Sequence, residues 1–215
     1  MPGTFITFEG IEGSGKTTQI RLLAKALEQK KLPIVLTREP GGTEIGDRIR
    51  TVLLNPDFHA MHPMTELFLY AAARCQHIHQ VIRPALDAGK IVLCDRYADA
   101  TTAYQGFGRA IDLGWLRQLH QLATGNLNPD LTLLLDCPVA SGLKRAVARE
   151  AKQTGVAEDR FEQEKKTFHE KVRQGYLHIA KEEPKRVHII DADGGIQEIH
   201  ERILKVVALS LRGMK

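Results

Sequence analysis

Eight residues, Gly10-Ile11-Glu12-Gly13-Ser14-Gly15-Lys16-Thr17, constrain this chain more than any other stretch, because they match G-x-x-x-x-G-K-[ST] in full. Glycines permit a tight loop whose backbone N–H groups converge on phosphate oxygens with no Cβ in the way. The β-rich Thr4–Phe8 precedes the loop and an amphipathic run from Lys16 to Lys31 follows, so the context is strand, loop, helix. The N-terminus of that helix adds partial positive charge where an anion would sit. Lys16 is placed to reach β- and γ-phosphates, and the Thr17 hydroxyl to ligate Mg²⁺. With glycine near 7% of residues, a chance match in a chain of this size is on the order of 1%.

Four more short apolar runs follow, Pro33–Thr37, Ile91–Cys94, Leu131–Leu135 and Val187–Ile190, each set apart by helical pattern. Helical periodicity spans Glu44 to Leu54 and starts again near Pro63, running towards Ala88 with Gly89 as its stop. Short strands that are apolar throughout and alternate with helices predict an α/β fold whose parallel sheet is buried on both faces. A length of 215 residues, 43% hydrophobic and 26% charged, suits one domain with a substantial core. Runs such as Leu131–Leu135 are far below the roughly 20 residues of a membrane span, and no signal-peptide layout opens the chain. Cys75, Cys94 and Cys137 lie far apart in no metal-binding spacing, which reads as reduced thiols in a cytoplasmic protein. The formal charge of +4 comes without a basic tail or stripe, so nucleic acid is not an expected partner.

Between Lys144 and Arg173 apolar residues thin out and charges of both signs crowd together. That segment reads either as a solvated helix pair or, being arginine-rich and late in a phosphate-loop chain, as a lid over residues 144–162. A GTPase would carry Asn-Lys-x-Asp and a transport ATPase Leu-Ser-Gly-Gly, and neither string is present. Asp191-Ala192-Asp193-Gly194 matches D-x-x-G but follows the fifth apolar run, too late for a switch, and reads as a strand exit. A small single-domain phosphate-loop chain with a late arginine-rich segment points to a nucleoside monophosphate kinase.

Within that class the sequence resembles the bacterial thymidylate kinases. Phe8-Glu9-Gly10, Arg38-Glu39-Pro40-Gly41-Gly42-Thr43 and Leu69-Tyr70-Ala71-Ala72-Ala73-Arg74 carry the resemblance first. Asp95-Arg96-Tyr97, Ala103-Tyr104-Gln105-Gly106 and Asp159-Arg160-Phe161-Glu162 continue it in the same order. It implies a five-stranded parallel sheet in the order 2-3-1-4-5, a homodimer, Mg²⁺-ATP as donor and dTMP as acceptor. Three alternatives stay open on residues alone: a kinase for AMP or CMP, an ATP sensor without chemistry, and a nucleic-acid-dependent ATPase.

The resemblance also implies roles. Tyr70, where many members have Phe, would stack on thymine, and Arg74 would donate to a thymine carbonyl. Arg96 would bind the acceptor phosphate and Asp95 would serve Mg²⁺ with Thr17. Thr101, Tyr104 and Gln105 would line the nucleoside, with the Tyr104 ring crowding a 2′-hydroxyl. Glu12 would meet the 3′-hydroxyl, and Glu39 would organise the acceptor side. No arginine occurs from Ile11 to Ser14, so the catalytic arginine is expected in the lid: Arg149 first, with Arg145 and Arg160 in support. The nine histidines, His77 and His79 among them, read as structural.

Overall fold

Each of the five apolar runs becomes a strand, and each strand extends one residue further than its run, onto a charged side chain. They are β1 (Thr4–Glu9), β2 (Ile34–Arg38), β3 (Ile91–Asp95), β4 (Leu131–Asp136) and β5 (Val187–Asp191). This is a computed structural model; it describes residues 3–150, 160–161 and 164–213, without the side chains of 149–150 and 212–213. The strands form one all-parallel sheet in the order β2-β3-β1-β4-β5. In register, Phe8 and Arg38 both pair with Asp95, so charged residues gather at the carboxyl edge, where α/β sheets bind their ligands.

The central strands are buried as their sequences require: Ile6, Phe8, Leu93, Leu133 and Leu135 have no exposed surface. The edge strands depart from the expectation. Leu36 in β2 and Ile189 in β5 are exposed, because an edge strand has one neighbour and fewer helices to cover it.

α1 (Lys16–Gln29) buries Ile20, Leu23, Ala24 and Leu27, the i, i+3, i+4, i+7 stripe that its periodicity predicts. α2 (Glu44–Leu54) has the expected bounds, and the Thr43 hydroxyl caps it by accepting from Gly46 N–H. The helix from Pro63 is not uniform: α3 (Pro63–His77) passes through a π-helical turn at Ile78–Ile82 into α4 (Arg83–Asp87). Pro84 has no N–H to give to the carbonyl four residues back, and Arg83 N–H reaches Ile78 O instead, so the helix widens there. Gly89, with φ +71°, ends it as read.

α5 (Ala98–Thr101) runs into a second π-helical turn, Thr102–Gly108, followed by α6 (Leu113–Thr124), α7 (Val139–Glu150), α8 (Lys166–Glu182) and α9 (Ile196–Gly213). α8 buries Phe168, Val172, Tyr176 and Ile179 and is a core helix rather than one of a solvated pair. Its apolar stripe survives at helical spacing inside a charge-rich sequence. Most of the expected lid, residues 151–159 and 162, lies outside the described residues. Among the described residues no helix is long and apolar enough to cross a membrane.

Candidate active site

The phosphate loop follows β1 and leads into α1. Gly13 has φ +68°, and a Cβ there would stand 1.9 Å from the carbonyl oxygen of Gly142, so the loop lies backbone to backbone against α7. The Lys16 ammonium sits inside the loop, donating to Gly10 O at 2.8 Å, Ile11 O at 2.7 Å and Ser14 Oγ at 3.3 Å. Burial, and then the nearby Arg96 cation, pull its pKa down to about 8. Thr17 Oγ1 donates to Asp95 Oδ2 at 2.7 Å, which joins the start of α1 to the end of β3.

A cavity of about 300 Å³ opens beside the loop and brings together every acceptor-side residue expected from the sequence. The loop contributes Glu12, Lys16 and Thr17, and the strand ends contribute Glu39, Asp95 and Arg96. α3 supplies Tyr70 and Arg74, and α5 supplies Thr101. The second π-helical turn supplies Tyr104 and Gln105. Arg38, Arg50, Tyr97 and Phe161 also line it, and sequence reasoning assigned them no role.

Arg96 is held in the left-handed region at φ +70°, a strain of about 1–3 kcal/mol for a non-glycine residue. Its guanidinium donates to Gly10 O at 2.9 Å, Tyr176 OH at 3.0 Å and Glu12 Oε1 at 3.1 Å, and stacks 5.0 Å from the Tyr104 ring. Glu12 also accepts a short hydrogen bond from Tyr104 OH, and its Oε2 lies 3.2 Å from Nδ1 of the fully buried His169. Burial pushes the Glu12 carboxyl up, but His169, Arg96 and Lys16 outweigh it and hold the group well below the usual carboxylate range.

At the other end, Arg74 is buried, which excludes a surface role. It donates to Glu39 Oε2 at 2.7 Å, Tyr97 O at 3.0 Å and Thr101 Oγ1 at 3.0 Å. Glu39 Oε1 meets His77 Nδ1 at 3.0 Å, and His77 Nε2 meets Thr37 Oγ1 at 2.7 Å. His77 and His169 are thus structural in a specific sense, since both brace carboxylates of the site.

The lid arginines separate. Arg145 donates to Ala192 O at 2.9 Å and Asp193 Oδ1 at 3.2 Å, on the loop after β5 that D-x-x-G marked as a strand exit. Arg160 is buried, donating to Leu53 O at 3.0 Å and Glu66 Oε2 at 2.7 Å. Phe161, not Arg160, reaches the cavity, edge-on to Tyr104 with ring centroids 5.6 Å apart. Arg149 lies near the end of α7, and its side chain is outside the described residues.

Sequence reasoning missed Glu9. Its carboxyl, at the end of β1, accepts from Tyr97 N–H at 2.7 Å and Tyr176 OH at 2.8 Å, and Tyr176 in turn accepts from Arg96. Burial, then the nearby Asp99, raises its pKa from 4.5 to about 8, with Arg96 opposing. A raised carboxyl pKa stabilises the fold fully below the unfolded value and loses that contribution as pH rises through the folded one. Stability should therefore decline between about pH 4.5 and 8, and Glu9→Gln, which cannot ionise, should flatten that slope. Thermal unfolding of both proteins at pH 5 and 8 checks this; parallel slopes would remove Glu9 as the cause.

Three independent comparisons bear on this geometry. The model of the thymidylate kinase family matches residues 8–203. A thymidylate kinase of Syntrophotalea carbinolica is 58% identical over 199 residues, covering 93% of this chain and 92% of that protein. One of Geotalea uraniireducens is 54% identical over 209 residues, covering 97% and 98%. The crystal structure of thymidylate kinase from Ehrlichia chaffeensis superposes with a TM-score of 0.76 at 34% identity, over 96% of this chain and 100% of that one. With the fold, the site and the relatives in agreement over nearly the whole length, the chain belongs to the thymidylate kinase family.

Proposed function

We propose that this chain transfers the γ-phosphate of ATP to dTMP, giving ADP and dTDP on the route to dTTP. The observation that carries the reading is one cavity with a phosphate loop at one end and a buried arginine at the other, bridged by Arg96. Lys16 exchanges its loop carbonyls for donor phosphate oxygens, while Arg96 grips the acceptor phosphate. Glu12, held as a carboxylate, accepts from the sugar 3′-hydroxyl, and the Tyr104 ring leaves little room for a 2′-hydroxyl. Tyr70 stacks on the base, Arg74 donates to its O4, and Glu39 holds Arg74 in place.

The acceptor is already an anion, so positioning and charge carry the chemistry without a general base. Arg149, within a lid spanning residues 144–162 of the single domain, supplies the cation between donor and acceptor. Thr17 and Asp95 offer the hard oxygen donors that suit Mg²⁺, which when bound with ATP neutralises charge on the β- and γ-phosphates.

A homodimer is supported by Ile45 and Val52 on α2, Phe68 on α3, and Trp115 and Leu122 on α6. All are exposed apolar side chains, on helices that pack α2 on α3 and α3 on α6. Cytoplasmic residence is supported by the free thiols of Cys75, Cys94 and Cys137.

A coupled ADP-release assay with dTMP, dUMP, dCMP, AMP and GMP tests the reaction. dUMP, lacking one methyl, should lose about 10–200-fold in kcat/KM, and dCMP about 10⁴-fold or more. Faster turnover of AMP or dCMP than of dTMP would overturn the assignment.

A further inference from the structure

Glu66 lies four residues before Tyr70 and eight before Arg74, on the same face of α3. Its carboxylate is fully buried and serves three side chains. Gln105 Nε2 donates to Oε1 at 2.7 Å, and Arg160 Nη2 to Oε2 at 2.7 Å. Arg109 donates through Nε to Oε1 and through Nη2 to Oε2, both at 3.3 Å.

A carboxylate between two guanidinium groups accepts hydrogen bonds and donates none. Gln105 can satisfy it with the NH₂ end of its amide alone. The carbonyl end, Oε1, accepts no hydrogen bond among the described residues, and Gln105 lines the cavity.

We propose that Glu66 is a specificity-determining positioning residue: it fixes the Gln105 amide so that Oε1 stands as an acceptor towards the nucleobase. The inference rests on the dTMP reading of the site. A pyrimidine ring is then read at two atoms, a donor from Arg74 on O4 and an acceptor from Gln105 on N3–H. Thymine and uracil present that pair. Cytosine presents the opposite one, an exocyclic amine and a bare N3. An unconstrained amide could turn over and donate to the bare N3, so the discrimination depends on the residue that prevents the turn. The same carboxylate anchors Arg160, the neighbour of Phe161, which lines the cavity.

Measuring kcat/KM for dTMP and dCMP in the full-length enzyme and its variants decides the matter. Glutamine at position 66 offers both a donor and an acceptor, so Glu66→Gln should shrink the dTMP/dCMP ratio by roughly tenfold, the scale of one net hydrogen bond. Glu66→Asp, which still only accepts, should keep the wild-type ratio even where absolute activity falls; equal narrowing in both variants would indicate lost packing and overturn the inference. In a Gln105→Ala background, Glu66→Gln should change the ratio no further, and an additional change would show another route. Should Glu66→Gln fail to fold, Gln105→Ala carries the test, since an unchanged ratio there removes the acceptor itself. A wild-type enzyme without preference for dTMP overturns the reading of the reaction. A wild-type preference that survives Glu66→Gln overturns only the role of Glu66.

Discussion

Replacing Arg149 with alanine should lower kcat by about 10³–10⁵-fold, the scale of losing an arginine finger, with KM for dTMP little changed. Phosphoryl transfer spreads negative charge over oxygens between donor and acceptor, and a cation placed there acts on the transition state more than on bound substrate. The phosphate loop holds no arginine between Ile11 and Ser14. Arg145 is engaged with Ala192 and Asp193, and Arg160 with Leu53 and Glu66. Position 149 lies seven residues after Gly142 and three after Ala146, both of which pack on the loop, so it falls on the same face of α7. Steady-state kinetics with a check of folding by circular dichroism tests this. A nearly silent Arg149→Ala with a crippled Arg160→Ala would move the role to Arg160, and two silent variants would place the cation outside the segment.

Lys16→Ala should lower kcat by at least ~10²-fold, as expected for loss of one preorganised charge donor. Its ammonium contacts two loop carbonyls and the Ser14 hydroxyl, while Thr18 N–H and Gln19 N–H still bond Gly15 O. The loop therefore keeps backbone ties without the lysine, and the variant should fold. Turnover close to wild type would remove Lys16 from the chemistry.

How much of this was legible in the sequence depended on the range of the interactions involved. The loop residues, the five strands and the stop at Gly89 follow from local rules, and so does the α1 stripe. The two π-helical turns were not foreseen. The first lies beside Pro84, where the periodicity reads as one continuous helix from Pro63 towards Ala88, and no local signal marks Thr102–Gly108. The exposure of Leu36 and Ile189 depends on strand order, which apolar pattern does not encode.

The site shows the same division. Lys16 and Thr17 sit inside a motif, and Tyr70, Arg74, Arg96 and Gln105 sit inside family strings. Glu9 and Tyr176 are 167 residues apart, and Glu66 and Arg160 are 94 apart. Nothing in their own neighbourhoods announces the pairing. A hint was present for Glu66, since an acid one turn before Tyr70 on the buried face of α3 needs a partner.

The contact between Gly13 and Gly142 bears on how the molecule can move. Two stretches of main chain that touch without side chains between them leave no slack to compress, as in any close-packed interior. The phosphate loop and the first turns of α7 therefore behave mechanically as one piece. A nucleotide held in the loop would rest on a cradle anchored to α7 at Gly142 and Ala146. The loop could not widen or tilt beneath the phosphates without carrying the start of α7 with it.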